Sequence, residues 1–447
     1  MVRIHIATLG CPKNMVDSRH LMENCIMKEL AHVDDPAAAD VVLVNTCGFI
    51  KDATQESISE ILKLAKLKGE GWGGKLTVFG CLASRYRDEL TKEIPEIDAI
   101  FGIGEDERIV EYCLQCGSDP TRQQEEAGMP SQKDLGDAEI PGVGASYAYI
   151  KIADGCDKKC TFCVIPSIRG KFRSLPHELI IREAEGFVRT GVKELILVAQ
   201  DICNYSTGQG DYGLVDLLKE LAAIEGDFWI RLLYLYPTEI TDDLLDLIAG
   251  EDKICKYLDI PLQHSEDRVL KLMGRRGSRK EYVKLIRTIR RRIPGVALRT
   301  TFIAGFPSET EEEFLGLVDF IEEARFDRMG VFAYSREEGS PAARLKGQIP
   351  EKVKKRRLDE IMKRQAMISL AKNEELVGKR FRALVDELDD TVIICRLASQ
   401  APEIDGVVII EKLEDRGQNS EVKAGDFVDV EIISAYDYDL KGRLVQD

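Results

Sequence analysis

Apolar and polar positions alternate along this chain in two rhythms, a short one and a helical one. The run Val41-Val42-Leu43-Val44 is apolar on every residue, as suits a parallel strand buried on both faces. Residues 53–67 carry Ile58, Ile61, Leu62 and Ala65 on one stripe, which predicts an amphipathic helix. Over residues 1–118 the pattern predicts strands at 2–8, 40–44, 75–79 and, more weakly, 97–101, with helices at 14–30 and 53–67. That alternation implies a small doubly wound α/β domain. Residues 119–144 are polar and punctuated by Pro130, Pro141, Gly142 and Gly144, so they read as a linker. From 145 to 375 the rhythm resumes, with strands expected at 148–153, 195–199, 229–236, 256–260, 297–304 and 329–334. Helical stretches fall between them at 178–188, 214–223, 242–248, 280–292 and 311–324. Six such units predict an incomplete (β/α) barrel whose active groups sit on the loops after the strands. A charged helix, 352–376, leads out of it. Beyond 379 the strands are short, at 381–385, 392–395, 407–410 and 427–433, and are split by Asp, Gly and Asn turns, as in a small OB-like β-barrel.

Cysteines change this picture from fold to chemistry. Cys156, Cys160 and Cys163 stand at C-x3-C-x2-C just after the strand expected at 148–153. Thiolates this close in a reducing compartment are metal ligands or redox partners. Three of them with no fourth nearby suit a cubane iron–sulfur cluster with one iron left open. The plain alternative is one buried helix face, and Lys158 and Lys159 argue against it. A second group repeats one position: Cys11 follows Gly10, Cys47 follows Thr46 and Cys81 follows Gly80, each at the carboxyl end of an expected strand. Those ends share one sheet edge, where ligands usually bind, so the three can meet at one point. Three buried structural cysteines are the alternative there. Cys113 and Cys116 form a C-x2-C at the end of an expected helix, lack matching ligands and read as non-ligands, and Cys395 reads as core.

Composition narrows the setting. Hydrophobic residues make up 44% of the 447, enough for real cores. The chain has 62 Lys+Arg against 78 Asp+Glu, a net charge of −16, which speaks against a general nucleic-acid binder and suits a basic partner. Twelve cysteines without a signal-peptide pattern indicate a reducing, cytoplasmic setting. No apolar run approaches the ~20 residues that span a membrane.

The motifs also carry a resemblance. Cys156, Cys160 and Cys163, with Phe162 before the last, resemble the radical S-adenosylmethionine (SAM) motif. The resemblance implies a [4Fe–4S] cluster whose open iron binds SAM and whose electron cleaves it to a 5′-deoxyadenosyl radical. Gly10-Cys11-Pro12-Lys13-Asn14 with Asp17-Ser18, and Asn45-Thr46-Cys47-Gly48-Phe49-Ile50 with Gln55-Glu56-Ser57-Ile58, resemble the N-terminal domain of methylthiotransferases. This implies a second [4Fe–4S] cluster on Cys11, Cys47 and Cys81, and the flanks are similar to the branch that modifies a ribosomal protein rather than the transfer-RNA branch. Residues 401–406 and 435–440 resemble the TRAM domain of the same family.

What the resemblance implies is β-methylthiolation of an aspartate in small-subunit ribosomal protein twelve, with one SAM supplying the methyl group and a second the radical. An electron donor and a sulfur donor are implied partners. The family holds SAM with strand ends and with the turn after the fifth strand, which implies Gln200 and Gly305 here; Gly305 and Pro307 would let the backbone approach a ligand. Strand-end capping is the alternative for Gln200, Asp201 and Gln263, and a structural histidine for His264. Arg169 matches the loop beyond the cluster, where it would meet a carboxylate or remain a surface arginine. Asp157 stands where many relatives have Asn. Residues 379–447 hold 9 Lys+Arg and 16 Asp+Glu, a net −7, so a phosphate-tracking role fits that segment poorly. A transfer-RNA methylthiotransferase, a non-catalytic iron–sulfur protein and a zinc module remain the rivals.

Overall fold

Five parallel strands open the chain: β1 (Arg3–Thr8), β2 (Ala31–His32), β3 (Val41–Thr46), β4 (Lys75–Gly80) and β5 (Ala99–Ile100). Their order is β2-β1-β3-β4-β5, which puts the all-apolar run at the centre, where every residue of β3 is buried. Side chains of a strand point alternately to its two faces. Val41 and Leu43 accordingly join a core with Leu21, Met22 and Cys25 of α1 (Pro12–Met27). Val42 and Val44 join a second core with Ile61, Leu64 and Ala65 of α2 (Lys51–Gly69). The short helices α3 (Cys81–Arg85) and α4 (Arg87–Glu93) pack on the second face, and α5 (Asp106–Cys116) on the first. This is the doubly wound sheet expected from the pattern. Cys25 and Cys113 are fully buried in its first core, away from ligand chemistry.

The computed structural model describes residues 1–116, 140–144, 146–207, 212–412 and 422–445. Most of the segment read as a linker, 119–139, lies outside the described residues. The chain divides into two compact units. The first comprises Met1–Val143 with Gly155–Asp157 and Cys163–Lys171; the second comprises Gly144–Asp154, Lys158–Phe162 and Phe172–Asp447.

In the second unit β6 (Tyr147–Lys151) is followed by β7 (Ala153–Asp154), which pairs with β8 (Arg173–Ser174). Between these two strands lies α6 (Ile165–Arg169), which belongs with the first unit. Then come α7 (His177–Arg189), β9 (Glu194–Val198), a small ribbon of β10 (Ser206–Thr207) and β11 (Tyr212–Gly213), α8 (Leu214–Ala223), β12 (Trp229–Leu232) and α9 (Asp242–Gly250). β13 (Ile254–Asp259) precedes α10 (Asp267–Leu272) and α11 (Arg279–Arg292); β14 (Ala297–Ala304) precedes α12 (Glu311–Ala324); β15 (Arg328–Ala333) precedes α13 (Glu351–Glu374). The six long strands form one parallel sheet in the order β15-β14-β13-β12-β9-β6, open between its two ends. Helices cover its outside: Phe302 of β14 meets Phe320 of α12 and Phe326 edge-on. This is the incomplete (β/α) barrel.

The last strands, β16 (Arg380–Leu388), β17 (Val392–Leu397), β18 (Val408–Glu411), β19 (Phe427–Ala435) and β20 (Leu440–Leu444), close into a five-stranded barrel. Cys395 is in its core, as expected. The sequence pattern anticipated four strands; β20 escaped it because Lys441, Gly442 and Arg443 leave only two apolar residues in the run. The loop from β17 to β18 packs on the six-stranded sheet: Tyr257 donates to Asp405 at 2.8 Å, Tyr147 to Glu403 at 2.6 Å and Arg231 to the Ala398 carbonyl at 2.9 Å. Among the described residues no helix is long and apolar enough to cross a membrane.

Candidate metal centres

Three loops meet at the carboxyl edge of the N-terminal sheet. Cys11 caps α1 after β1, Cys47 follows the last residue of β3, and Cys81 is the first residue of α3 after β4. β1, β3 and β4 are neighbours, and the order reverses between β1 and β3, the place where such sheets bind ligands. Two glycines permit the approach. A Cβ on Gly10 (φ +97°) would lie 2.6 Å from Cys47 Cβ. One on Gly80 (φ +95°) would collide with Asn45 Oδ1 and lie 2.8 Å from the Thr46 carbonyl. The side chains that mark the family then tie the loops together. Asn14 Nδ2 donates to the carbonyls of Leu9 (2.9 Å) and Thr46 (3.1 Å), and Asn45 Nδ2 donates to the Asn14 carbonyl (2.8 Å) and Ser18 Oγ (2.9 Å). Ser57 Oγ accepts from Cys47 N–H and donates to its carbonyl, both at 2.9 Å.

Cys47 and Cys81 are buried and Cys11 is half-buried. Burial pushes the Cys47 thiol up, and it pushes Cys81 up to about 12, against the pull of Arg169 and with the charges of Cys11 and Cys47 adding to the rise. Val164 and Ile168 pack with Phe49 and Ile103 around Cys81, so the site is dry on that side. Arg169 lies within the same unit. Its side chain is only 1% exposed, and Nη2 donates to Asn14 Oδ1 at 2.7 Å and to Asp17 Oδ2 at 2.9 Å. Of its two expected settings, the carboxylate partner is the one observed. The donor set fits an iron–sulfur cluster: three thiols from three loops, a dry wall, and a buried cation to offset thiolate charge.

Cys156, Cys160 and Cys163 lie in the loop after β7, half-buried and outside any helix, so the buried-helix alternative does not apply. Ile165 N–H points at Cys163 Sγ (3.5 Å), and Cys156 N–H donates to the Gly170 carbonyl (3.2 Å). Within the second unit, Thr161 N–H donates to the Met273 carbonyl (2.8 Å) and its hydroxyl to the Leu272 carbonyl (2.7 Å), while Ala342 N–H donates to the Thr161 carbonyl (2.8 Å). Among the described residues no three His, Cys, Asp or Glu side chains close on a single point as they do around one ion. A cubane spreads its thiolates over separate irons, so such closure is not required.

The other expected residues sort differently. Gln200 Nε2 donates to Asp154 Oδ1 (3.1 Å), and its buried Oε1 has no hydrogen-bond partner among the described residues. Gly305 (φ +74°) donates its N–H to Glu309 Oε2 at 2.9 Å, and the group that approaches its Cα is Lys354 of α13. Asp201 caps a single turn and faces Lys158 at 3.3 Å, which also meets Glu239 at 2.9 Å. Gln263 (φ +74°) bridges to Phe302. His264 is fully buried, accepts from Glu266 N–H on Nδ1 (3.0 Å) and stands 3.6 Å from Glu309, a structural setting. Glu239 carries no motif in the sequence, and Lys158 enters there only as an argument against a buried helix face. Glu309 lies just before α12, where it accepts from Gly305 N–H and pairs with buried Arg357 at 2.6 Å.

Comparison with known proteins agrees along the whole chain. Family models match at residues 3–102 (Uncharacterized protein family UPF0004), 150–321 (Radical SAM superfamily) and 377–445 (TRAM domain). The chain is 54% identical over 445 residues to ribosomal protein uS12 methylthiotransferase RimO of Thermodesulfovibrio yellowstonii, covering 100% of each. It is 44% identical to the protein of that name from Desulfitobacterium hafniense, covering 99% of each. Among solved structures it is similar to the radical S-adenosylmethionine methyltransferase TsrM from Kitasatospora setae, with a TM-score of 0.54, 13% identity and coverage of 92% of this chain and 85% of that one. That likeness concerns the fold alone. Full-length identity at this level, with three family models in the same order as the three folded parts, makes the chain a member of the RimO methylthiotransferase family within the radical SAM superfamily.

Proposed function

We propose that this chain performs the reaction its relatives are named for, methylthio transfer to ribosomal protein uS12, with the β-carbon of an aspartate as acceptor. The observation that carries the reading is a pair of separate cysteine triplets: Cys11, Cys47 and Cys81 at one sheet edge, and Cys156, Cys160 and Cys163 in the loop after β7. Each triplet would hold one [4Fe–4S] cluster and leave an iron open. When bound, the two clusters and SAM supply reductive radical chemistry at the second triplet and a methylated sulfur at the first. The protein positions and shields these groups. Asn14, Ser18 and Asn45 hold the N-terminal loops together, Arg169 supplies a buried positive charge, and Val164 and Ile168 exclude water beside Cys81. Gln200 offers the amino group of SAM a buried acceptor that has no partner among the described residues, and Gly305 marks the end of β14 on the same sheet.

In this reading residues 1–118 carry the sulfur site, 119–144 join, 145–375 carry the radical site, and 379–447 form the TRAM domain. The substrate is a basic ribosomal protein, drawn by a chain of net −16. An electron donor and a sulfur donor complete the partners, and the work takes place in the cytoplasm. The test is anaerobic reconstitution followed by mass spectrometry of uS12 and of isopentenylated transfer RNA offered together. About eight irons per chain, halved in C156A/C160A/C163A, with the methylthio group on a uS12 aspartate, is the expected result. Modification of the RNA alone would move the chain to the transfer-RNA branch, and about four irons in the intact chain would remove the second cluster.

A further inference from the structure

Helix α11 departs from the charge of the chain around it. Its sequence, RKEYVKLIRTIRRR, holds seven cations and one carboxylate in a protein of net −16. Tyr282, Ile286 and Ile289 form its buried face. Some of the cations are used inside the fold. Arg279 pairs with Glu266 (2.9 Å), Arg292 with Asp242 (2.8 Å) and Asp246 (2.7 Å), and Arg290 donates to the Arg325 carbonyl (2.7 Å). Lys280, Lys284 and Arg291 are exposed and, among the described residues, make no ion pair or hydrogen bond. Arg287, 75% exposed, lies in line with them and touches Glu323 at 3.1 Å. Positions 280, 284, 287 and 291 share one helix face and extend over about 17 Å at a rise of ~1.5 Å per residue. Like charges at this spacing cost a helix about 0.2–0.5 kcal/mol per pair. From the neighbouring helices only Glu323 of α12 meets the stripe, at Arg287; Asp242 and Asp246 of α9 pair with Arg292, so Lys280, Lys284 and Arg291 gain no carboxylate there.

The stripe leads to the cysteine loop. Exposed Arg276, just before α11, continues it. Gly274 is pressed so closely on the Lys159 carbonyl that a Cβ would collide with it, and Lys159 is itself exposed. The track therefore runs from beside the loop that carries Cys160 down the outside of the sheet. All of it belongs to the second unit.

We propose that Lys159, Arg276, Lys280, Lys284, Arg287 and Arg291 form a docking track for the phosphate backbone of ribosomal RNA. The inference rests on the reading that the substrate is a ribosomal protein, because such a protein is presented by RNA. Regularly spaced exposed cations complement a chain of phosphates and carry no base readout, so RNA is a docking partner here and not the group modified. The buried apolar face of α11 leaves it nothing to insert into a membrane. The TRAM segment, by contrast, carries a net −7.

The test uses the reconstituted holoenzyme and a fluorescein-labelled, protein-free transcript of small-subunit ribosomal RNA. Binding is measured by anisotropy from about 50 to 200 mM salt for wild type and K280Q/K284Q/R291Q. At ~0.7 in log–log slope per contact, losing three contacts should flatten the slope by about 2, so the wild type loses roughly 20-fold more affinity over that range than the variant. K280R/K284R/R291K should keep the wild-type slope. Methylthiolation of free uS12 should be equal in wild type and the glutamine variant, and that of uS12 bound to its RNA slower in the variant. An unchanged slope overturns the track and leaves the proposed activity standing. Absence of free-uS12 modification by wild type overturns the activity and leaves the RNA measurement intact. Binding of poly-glutamate as tight as RNA, and lost in the same variant, would assign the stripe to an acidic protein and overturn the RNA proposal.

Discussion

Replacing Glu194 by Gln should loosen the closed barrel from the six-stranded sheet. Glu194 is the first residue of β9 and is fully buried. Arg231 Nε of β12 lies 2.5 Å from Oε1, and Arg396 Nη1 of β17 lies 2.6 Å from Oε2, an ion pair off hydrogen-bond alignment. Both arginines are buried as well, so one carboxylate balances two guanidiniums from two sheets. Gln preserves the shape and removes the charge. Breaking a buried pair costs about 3–5 kcal/mol, because the remaining charge is stranded. The lower end applies here. Arg396 keeps Asp386 at 2.6 Å, and Arg231 keeps the Ala398 carbonyl at 2.9 Å. A loss of about 3 kcal/mol is roughly a hundredfold in the folded-to-unfolded ratio. The chain has two tryptophans, Trp72 in the first unit and Trp229 in the second. Trp229 of β12 packs on Phe427 of β19 at 4.9 Å between ring centres, so its fluorescence in a W72F background reports this junction. Urea titration of that signal should show the E194Q midpoint displaced by the stated energy. R231M/E194L, which fills the site with apolar groups and leaves Arg396 paired with Asp386, should recover most of the loss. An E194Q midpoint within about 0.5 kcal/mol of wild type would refute the reasoning.

Acid should act on the same residue: desolvation raises the Glu194 pKa, but Arg231 and Arg396 outweigh it and hold the carboxyl below its usual range. The folded value is thus the lower one, so the stabilisation is complete above the unfolded value of ~4.3 and is lost as pH falls through the folded value. Between those two values the Trp229 transition should weaken more steeply in wild type than in E194Q, and parallel pH profiles would contradict this. Gly80→Ala forces a side chain into φ +95° against Asn45 and Thr46, at about 1–3 kcal/mol, and should disrupt the N-terminal triplet. Iron content after reconstitution should fall towards half, with SAM cleavage retained; full iron would count against loop convergence. In the C156A/C160A/C163A background, Arg169→Met should lower the reduction potential of the remaining cluster, since a buried cation beside it is lost, and Arg169→Lys should give an intermediate value. EPR-monitored redox titration checks this, and equal potentials in all three would leave Arg169 a purely structural role.

Local pattern was sufficient for much of this protein. The apolar run Val41–Val44 of β3, the alternation of strand and helix and the C-x3-C-x2-C loop depend on neighbours within a few residues, and sequence displays them directly. Gly10 and Gly80 could be seen to precede cysteines. That Gly10 meets Cys47 and Gly80 meets Asn45 required the folded sheet, because β1, β3 and β4 are joined only through long crossovers. Arg169 shows the same limit: its charge is plain in sequence, but its burial against Asn14 and Asp17 spans about 150 positions. The expectation of a ligand close to Gly305 met Lys354, brought there by a helix fifty residues later. Strand β20 was missed because a barrel closes by pairing, and a run with two apolar residues can be completed by its neighbours. The Glu194 junction and the stripe of α11 lie at the same divide. Composition counts charges, and only tertiary structure decides which of them are buried, paired or left facing water.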